Sequence, residues 1–270
     1  MRFLFCLIAG FFLCAHGASQ TVGSDGALLA KIRALYDAPF LQGLVSFDCA
    51  VKFDWKQHFL EVLPTIPPAA VPTIDRLQTI QHRVFVDPSG AVVSSVPKPP
   101  DLSGIPKATE LEQVYDALVP GGINAWMPFG RNVILPDGPT HYNFEKIDSG
   151  YKVALDGAGV VATLLLAEDL RITSGVSQLP QATRFTTEFI KGTHGFLLSS
   201  LKTADTNETQ NQVAEFSYTY QDVDGFQIPS RVMVKPSTSE AWNYELTDCK
   251  VMKGMVIKVG LPHDLPSTQK

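Results

Sequence analysis

The chain has 270 residues, 45% of them hydrophobic and 18% charged, with a formal net charge of −5 at pH 7. That length allows one large domain or two small ones, with enough apolar material for a substantial core. The mild acidity and the lack of any lysine and arginine cluster argue against binding to nucleic acid or to anionic membrane surfaces.

Met1-Arg2 leads into an apolar run from Phe3 to Ala15, followed by the small and polar residues His16-Gly17-Ala18-Ser19-Gln20. A positive start, about a dozen apolar residues and small residues at the end have the form of a secretory signal peptide, assigned to residues 1–19. Cleavage after Gly17, Ala18 or Ser19 fits equally well. The run is shorter than the roughly 20 apolar residues of a membrane span. Leu13 before Cys14 does not fit lipidation. No later segment is long and apolar enough to cross a bilayer, so the mature chain is expected to be soluble, and periplasmic or secreted.

Cys49 and Cys249 are the cysteines left after cleavage. Cysteines in an exported chain tend to pair, so a Cys49–Cys249 disulfide is expected between the first strand and the last. The alternative is two buried thiols. The spacing suggests neither a redox pair nor a zinc site.

Residues 24–37 read as an amphipathic helix, with Leu28, Leu29, Ile32, Leu35 and Tyr36 at helical spacing and Pro39 ending it. Gly43 opens a strand with strict alternation. Val45, Phe47, Cys49, Val51 and Phe53 are expected on one face, and Ser46, Asp48, Ala50, Lys52 and Asp54 on the other. Trp55 to Leu63 has helical character, prolines 64 to 72 make a stiff connector, and a short helix is expected near Ile74 to Ile80. Arg83 to Val86 and Val92 to Val96 read as a hairpin around Asp87-Pro88-Ser89-Gly90. Pro97 to Pro106 reads as a long surface loop. Thr109 to Val119 is expected to be a helix that stops at Gly121-Gly122, before a second short segment from Ile123 to Phe129.

From Tyr142 onwards the pattern changes to short strands and tight turns. Strands are expected at 142–147, 151–155, 160–166, 184–190, 196–203, 213–220, 228–234 and 242–251. Turns fall at Asp148-Ser149-Gly150, Asp156-Gly157 and Asp224-Gly225. This is an antiparallel meander, not an alternating α/β chain. Val160 to Leu166 is apolar on both sides, so its second face is expected to be covered. Ala214, Phe216, Tyr218 and Tyr220 share one face of their strand.

No motif for catalysis or phosphate binding occurs. The histidines are scattered, and none has a partner at metal-ligand spacing, so no metal and no cofactor are expected. Ser199-x-x-Lys202 lies in an expected strand, whereas the chemistry of that motif needs a helix start. Asp222 and Asp224 flank a hairpin turn, where backbone conformation explains them. Asn207-Glu208-Thr209 is a glycosylation sequon. The chain is expected to be non-enzymatic.

The segment from Phe216 to Pro229, a strand followed by Val223-Asp224-Gly225-Phe226-Gln227-Ile228-Pro229, leads into a second strand from Arg231 to Lys235. With the helix at Leu35-Tyr36 and the strand from Gly43 to Phe53, this layout resembles the outer-membrane lipoprotein carriers (LolA-like and LolB-like proteins). The two proline-rich stretches have no place in that pattern. The resemblance implies an α+β, mainly antiparallel fold, in which a strongly curved half-barrel sheet carries helices on its concave face, as a single domain over residues 20–270. It also implies a lipid or lipoprotein acyl chain as partner, bound in an apolar cavity between sheet and helices. Leu111, Val114, Leu118, Trp126, Phe216, Tyr218 and Tyr220 are the candidate lining residues. The alternative is an interaction protein whose core those same residues fill. A hydrolase without a readable motif is a third reading.

Overall fold

The computed structural model describes residues 24–56, 68–69, 71–79, 81–96, 108–136, 140–157, 159–178, 182–206, 213–237 and 241–254. The signal peptide, the helical stretch after Trp55, the loop from Pro97 to Pro106, His58, His263 and the sequon lie outside these residues, apart from Trp55 and Lys56 at the start of the second. Among the described residues three helices, α1 (Ser24–Arg33), α2 (Val71–Thr79) and α3 (Ala108–Gly130), accompany twelve strands. These are β1 (Leu44–Phe53), β2 (Gln81–Asp87), β3 (Gly90–Val96), β4 (Thr140–Ile147), β5 (Gly150–Gly157), β6 (Val160–Leu166), β7 (Ile172–Ser177), β8 (Thr183–Lys191), β9 (Phe196–Asp205), β10 (Val213–Val223), β11 (Phe226–Pro236) and β12 (Trp242–Lys253).

All twelve join one open antiparallel sheet in the order β3-β2-β1-β12-β11-β10-β9-β8-β7-β6-β5-β4. It consists of two meanders, β1 to β3 and β4 to β12, joined where β1 pairs with β12. β3 and β4 are the two edges, so the connection between them must cross the whole sheet, and α3 lies in that connection.

Residues directly opposite each other in a ladder share a face. Phe144, Val153, Leu164, Gly175 and Phe185 therefore trace one face from β4 to β8. Thr187, Leu201, Phe216, Val234 and Trp242 continue it from β8 to β12. Phe53 opposite Tyr244 and Cys49 opposite Val84 carry it onto β1 and β2. Two apolar clusters lie on this face. One joins α3 to β1, β2 and β9 to β12, and the other joins Ile32 and Tyr36 to β5, β6 and β7, with Phe185, Phe189 and Ile134 touching both.

The disulfide forms, with Cys49 Sγ and Cys249 Sγ 2.06 Å apart. It sits where the β1–β12 register slips between Asp48 and Ala50, opposite Asp248 at a φ of 45°. Arg83 on β2 spans the irregularity, with its Nε 3.0 Å from both carboxylate oxygens of Asp48 and its Nη2 donating to the Asp248 carbonyl at 3.4 Å.

Several expectations need correction. α1 ends at Arg33, short of Tyr36 and Pro39, because the next residues leave the helix to bond with β9. The first residues of β1 do not alternate as expected. Val45 is exposed while Leu44 and Ser46 are buried, since a bulge between Leu44 and Ser46 turns the strand before Phe47. α3 does not stop at Gly121-Gly122, and it runs through Pro120 and Pro128 as one helix to Gly130. β7 was not anticipated; its Ser174, Gly175 and Ser177 lack the strand signature, yet a Cβ on Gly175 would stand 2.5 Å from the Phe185 ring. The expected cover over the outer side of β6 does not reach Leu165, which is exposed, while Val161 and Thr163 on that side are half-buried.

Candidate functional site

Leu118, Trp126, Phe216 and Tyr218 meet in one buried cluster, with Tyr220 packed against it. Of the seven expected lining residues, these five come together. Leu111 and Val114 belong to α3, but their side chains lie outside the described ones.

Two phenols from the sheet hold the middle of α3. The Tyr218 hydroxyl donates to the Gly122 carbonyl at 2.9 Å, and the Tyr244 hydroxyl donates to the Val119 carbonyl at 3.1 Å. These contacts flank Pro120 and Gly121, where a proline and two glycines would otherwise favour a helix end. Gly122 lies so close to the sheet that a Cβ would fall 2.5 Å from Tyr244 Oη and 3.0 Å from the Val232 and Val234 methyls. Two residues further along, the Asn124 side chain accepts a hydrogen bond from the Ala91 amide of β3 at 3.0 Å.

Beside this grip lies a group of rings that the sequence reading did not place in the site. Phe53 stacks on Trp55 at 5.2 Å and lies 5.5 Å from Tyr244, while Trp242 meets Phe53 and Trp55 edge-on at 6.5 and 6.4 Å. Trp126 lies 6.2 Å from both Phe40 and Phe47. The alternation Trp242, Tyr244, Leu246 against Asn243, Glu245, Thr247 was the signal that could have identified the β12 contributors.

The polar atoms in this region are turned inward and used. Tyr220 donates to the Leu198 carbonyl at 2.6 Å and takes a hydrogen bond from Trp126. Burial raises Tyr218 well above the ordinary phenol range, with neighbouring Tyr244 and Tyr220 adding to it. Burial likewise raises Tyr220, partly offset by the Trp126 hydrogen bond. Tyr36, under the second cluster, is pushed up to about 12 by burial, although its oxygen accepts the Ile172 amide at 2.7 Å. These phenols stay neutral at physiological pH and act as fixed hydrogen-bonding groups in an apolar wall.

Ser199 and Lys202 lie within β9, away from any helix start. Asp222 accepts the Gly225 amide at 2.9 Å, and Asp224 has a φ of 55°, as a tight hairpin turn requires. Among the described residues no group of three or more His, Cys, Asp or Glu side chains could hold a metal ion. No described helix is long and apolar enough to cross a membrane.

No protein-family model matches this chain, and no curated protein sequence matches it. Among solved structures, it is similar to a LolA superfamily protein from Nitrosomonas europaea at 11% identity, covering 84% of this chain and 93% of that one, with a TM-score of 0.33.

Proposed function

We propose that this exported chain, periplasmic or secreted, binds the acyl chain of a lipid or lipoprotein between the apolar face of its sheet and α3, and catalyses no reaction. The observation that supports this reading is that α3 touches strands far apart in the order of the sheet. Gly122 touches β11 and Asn124 touches β3, although these strands lie four places apart in the sheet. In a flat sheet four places span about 19 Å. The two contacts are about 200° apart around a helix only about 10 Å wide. That pair of contacts supports a sheet bent about α3, with the helix on its concave side. Of the three strands in between, β1 and β12 reach α3 through the rings of Phe47 and Tyr244.

On this reading the binding surface is a curved apolar wall with aromatic filling and inward-bonded hydroxyls. Each acyl CH₂ moved from water into such a setting gains about 0.8 kcal/mol, so affinity needs no polar specificity. The second reading is an interaction protein whose core is already full. The tyrosine grip on α3 and the lack of room at Gly122 favour it.

Native mass spectrometry of the exported protein, purified without detergent and followed by solvent extraction, separates the two. A bound mass released as lipid or fatty acid is the expected result. An apo mass with no uptake of added fluorescent fatty acid would exclude the carrier reading and leave the interaction protein.

A further inference from the structure

The link between α1 and β1 crosses the junction of the two apolar clusters. Its backbone is tied to β9, where the Asp37 amide donates to the Phe196 carbonyl at 3.0 Å and the Phe196 amide to the Leu35 carbonyl at 2.7 Å. It is also tied to the end of α3, where the Phe40 amide donates to the Gly130 carbonyl at 3.3 Å and the Phe40 ring meets Trp126. Gly195, at a φ of 155°, lets the turn before β9 come this close; a Cβ there would stand 2.7 Å from the Leu35 carbonyl oxygen.

Asp37 lies in the middle of this junction and is only 4% exposed. Its Oδ1 accepts Gln42 Nε2 at 2.9 Å, while its Oδ2 is buried without a hydrogen-bond partner. A charged carboxylate in that setting is held at a cost that a neutral carboxyl avoids. We propose that Asp37 is a pH-sensitive latch, which when protonated holds the α1–β1 link against β9 and α3 and when charged loosens it, releasing α1 from the sheet.

Gln42 on its own segment and His194 on the turn before β9, when protonated, favour the charged form, but burial outweighs both and raises the carboxyl above the ordinary aspartate range. Tyr220 on β10 is neutral and feels the Asp37 charge. On α3, Trp126 meets Phe40 of the same link and does not titrate. An acid with a raised folded-state pKa stabilises the closed form fully below its ordinary range. That stability is lost as pH climbs towards the raised value, and no more is lost above it. Loosening therefore follows rising pH. Release of α1 would uncover Leu28, Leu29 and Ile32, which pack on the second cluster. The latch does not depend on the acyl-chain reading.

The test is hydrogen exchange by mass spectrometry on the whole mature chain at about pH 3.5, below the ordinary aspartate range, and about pH 7.5, expressed as protection factors. In the wild type, protection of peptides covering 24–42 and 194–198 should fall with rising pH, by up to about tenfold per pH unit inside the window. In Asp37→Asn that fall should vanish. A pH dependence that survives in Asp37→Asn belongs to another group, His194 among them, and overturns the proposal. Gln42→Ala serves if Asp37→Asn does not fold. It removes a hydrogen bond to the charged form, so it should loosen the segment more at the higher pH than at the lower one. Equal loosening at both pH values would mark a merely structural contact and also overturn the latch.

Discussion

Gly122 shows how a single hydrogen atom can decide the packing between helix and sheet. Alanine is the better helix former there by about 1 kcal/mol. Its methyl would nevertheless press on Tyr244 Oη and on two valine methyls. Overpacking in a core costs about 1–3 kcal/mol, and displacing the Tyr244 hydroxyl loses about 1 kcal/mol more. Gly122→Ala should therefore lower stability, read as a lower urea midpoint with an unchanged slope. Tyr218→Phe and Tyr244→Phe each remove one hydrogen bond to α3 and should each cost about 1 kcal/mol in the same measurement. Asp37 is the residue that composition and spacing could not reveal. A charged residue after a helix reads as exposed, and only the folded junction buries it.

At the scale of elements, α3 depends on tertiary support. Pro120, Gly121 and Gly122 form a break in the sequence, and the helix continues because sheet side chains hold its carbonyls and occupy its flank. Trp126 anchors the C-terminal half of the helix between Phe40, Phe47 and Tyr220. Trp126→Ala should cost about 3–5 kcal/mol by leaving a cavity there, seen as a large drop in the urea midpoint. The strands were easier to read than the helix. Alternation from Phe47 to Phe53 and the Asp-Gly turn at Asp224-Gly225 follow from local chemistry. The bulge before Phe47 did not, because the extra residue is specified by the neighbouring strand and not by the pattern. β7 escaped for a related reason, since Gly175 serves the Phe185 ring opposite it and not a local preference.

The two meanders join where β1 meets β12, with the disulfide bridging a sequence separation of 200. In the chain-entropy model so long a loop contributes on the order of 5 kcal/mol. Cys49→Ala with Cys249→Ala should thus cost several kcal/mol, by that model, in non-reducing denaturation. The wild type under a reductant should lose a similar amount. A chain ending before Trp242 leaves the β1–β3 meander with no ladder to the rest, and it should lose cooperative unfolding and resist proteolysis poorly. Neither outcome depends on what, if anything, the apolar face binds.

Local chemistry alone determined a mainly antiparallel chain, most of its strands and turns, and the pairing expected for its cysteines. Period-two alternation, turn residues and composition act over a few neighbours, and a sequence carries them openly. Tertiary structure decided the continuity of α3, the bulge in β1, the exposure of Leu165 and the burial of Asp37. Each of these depends on which distant strand or helix lies alongside, and the contact energy of that neighbour outweighs the local preference of the residues involved.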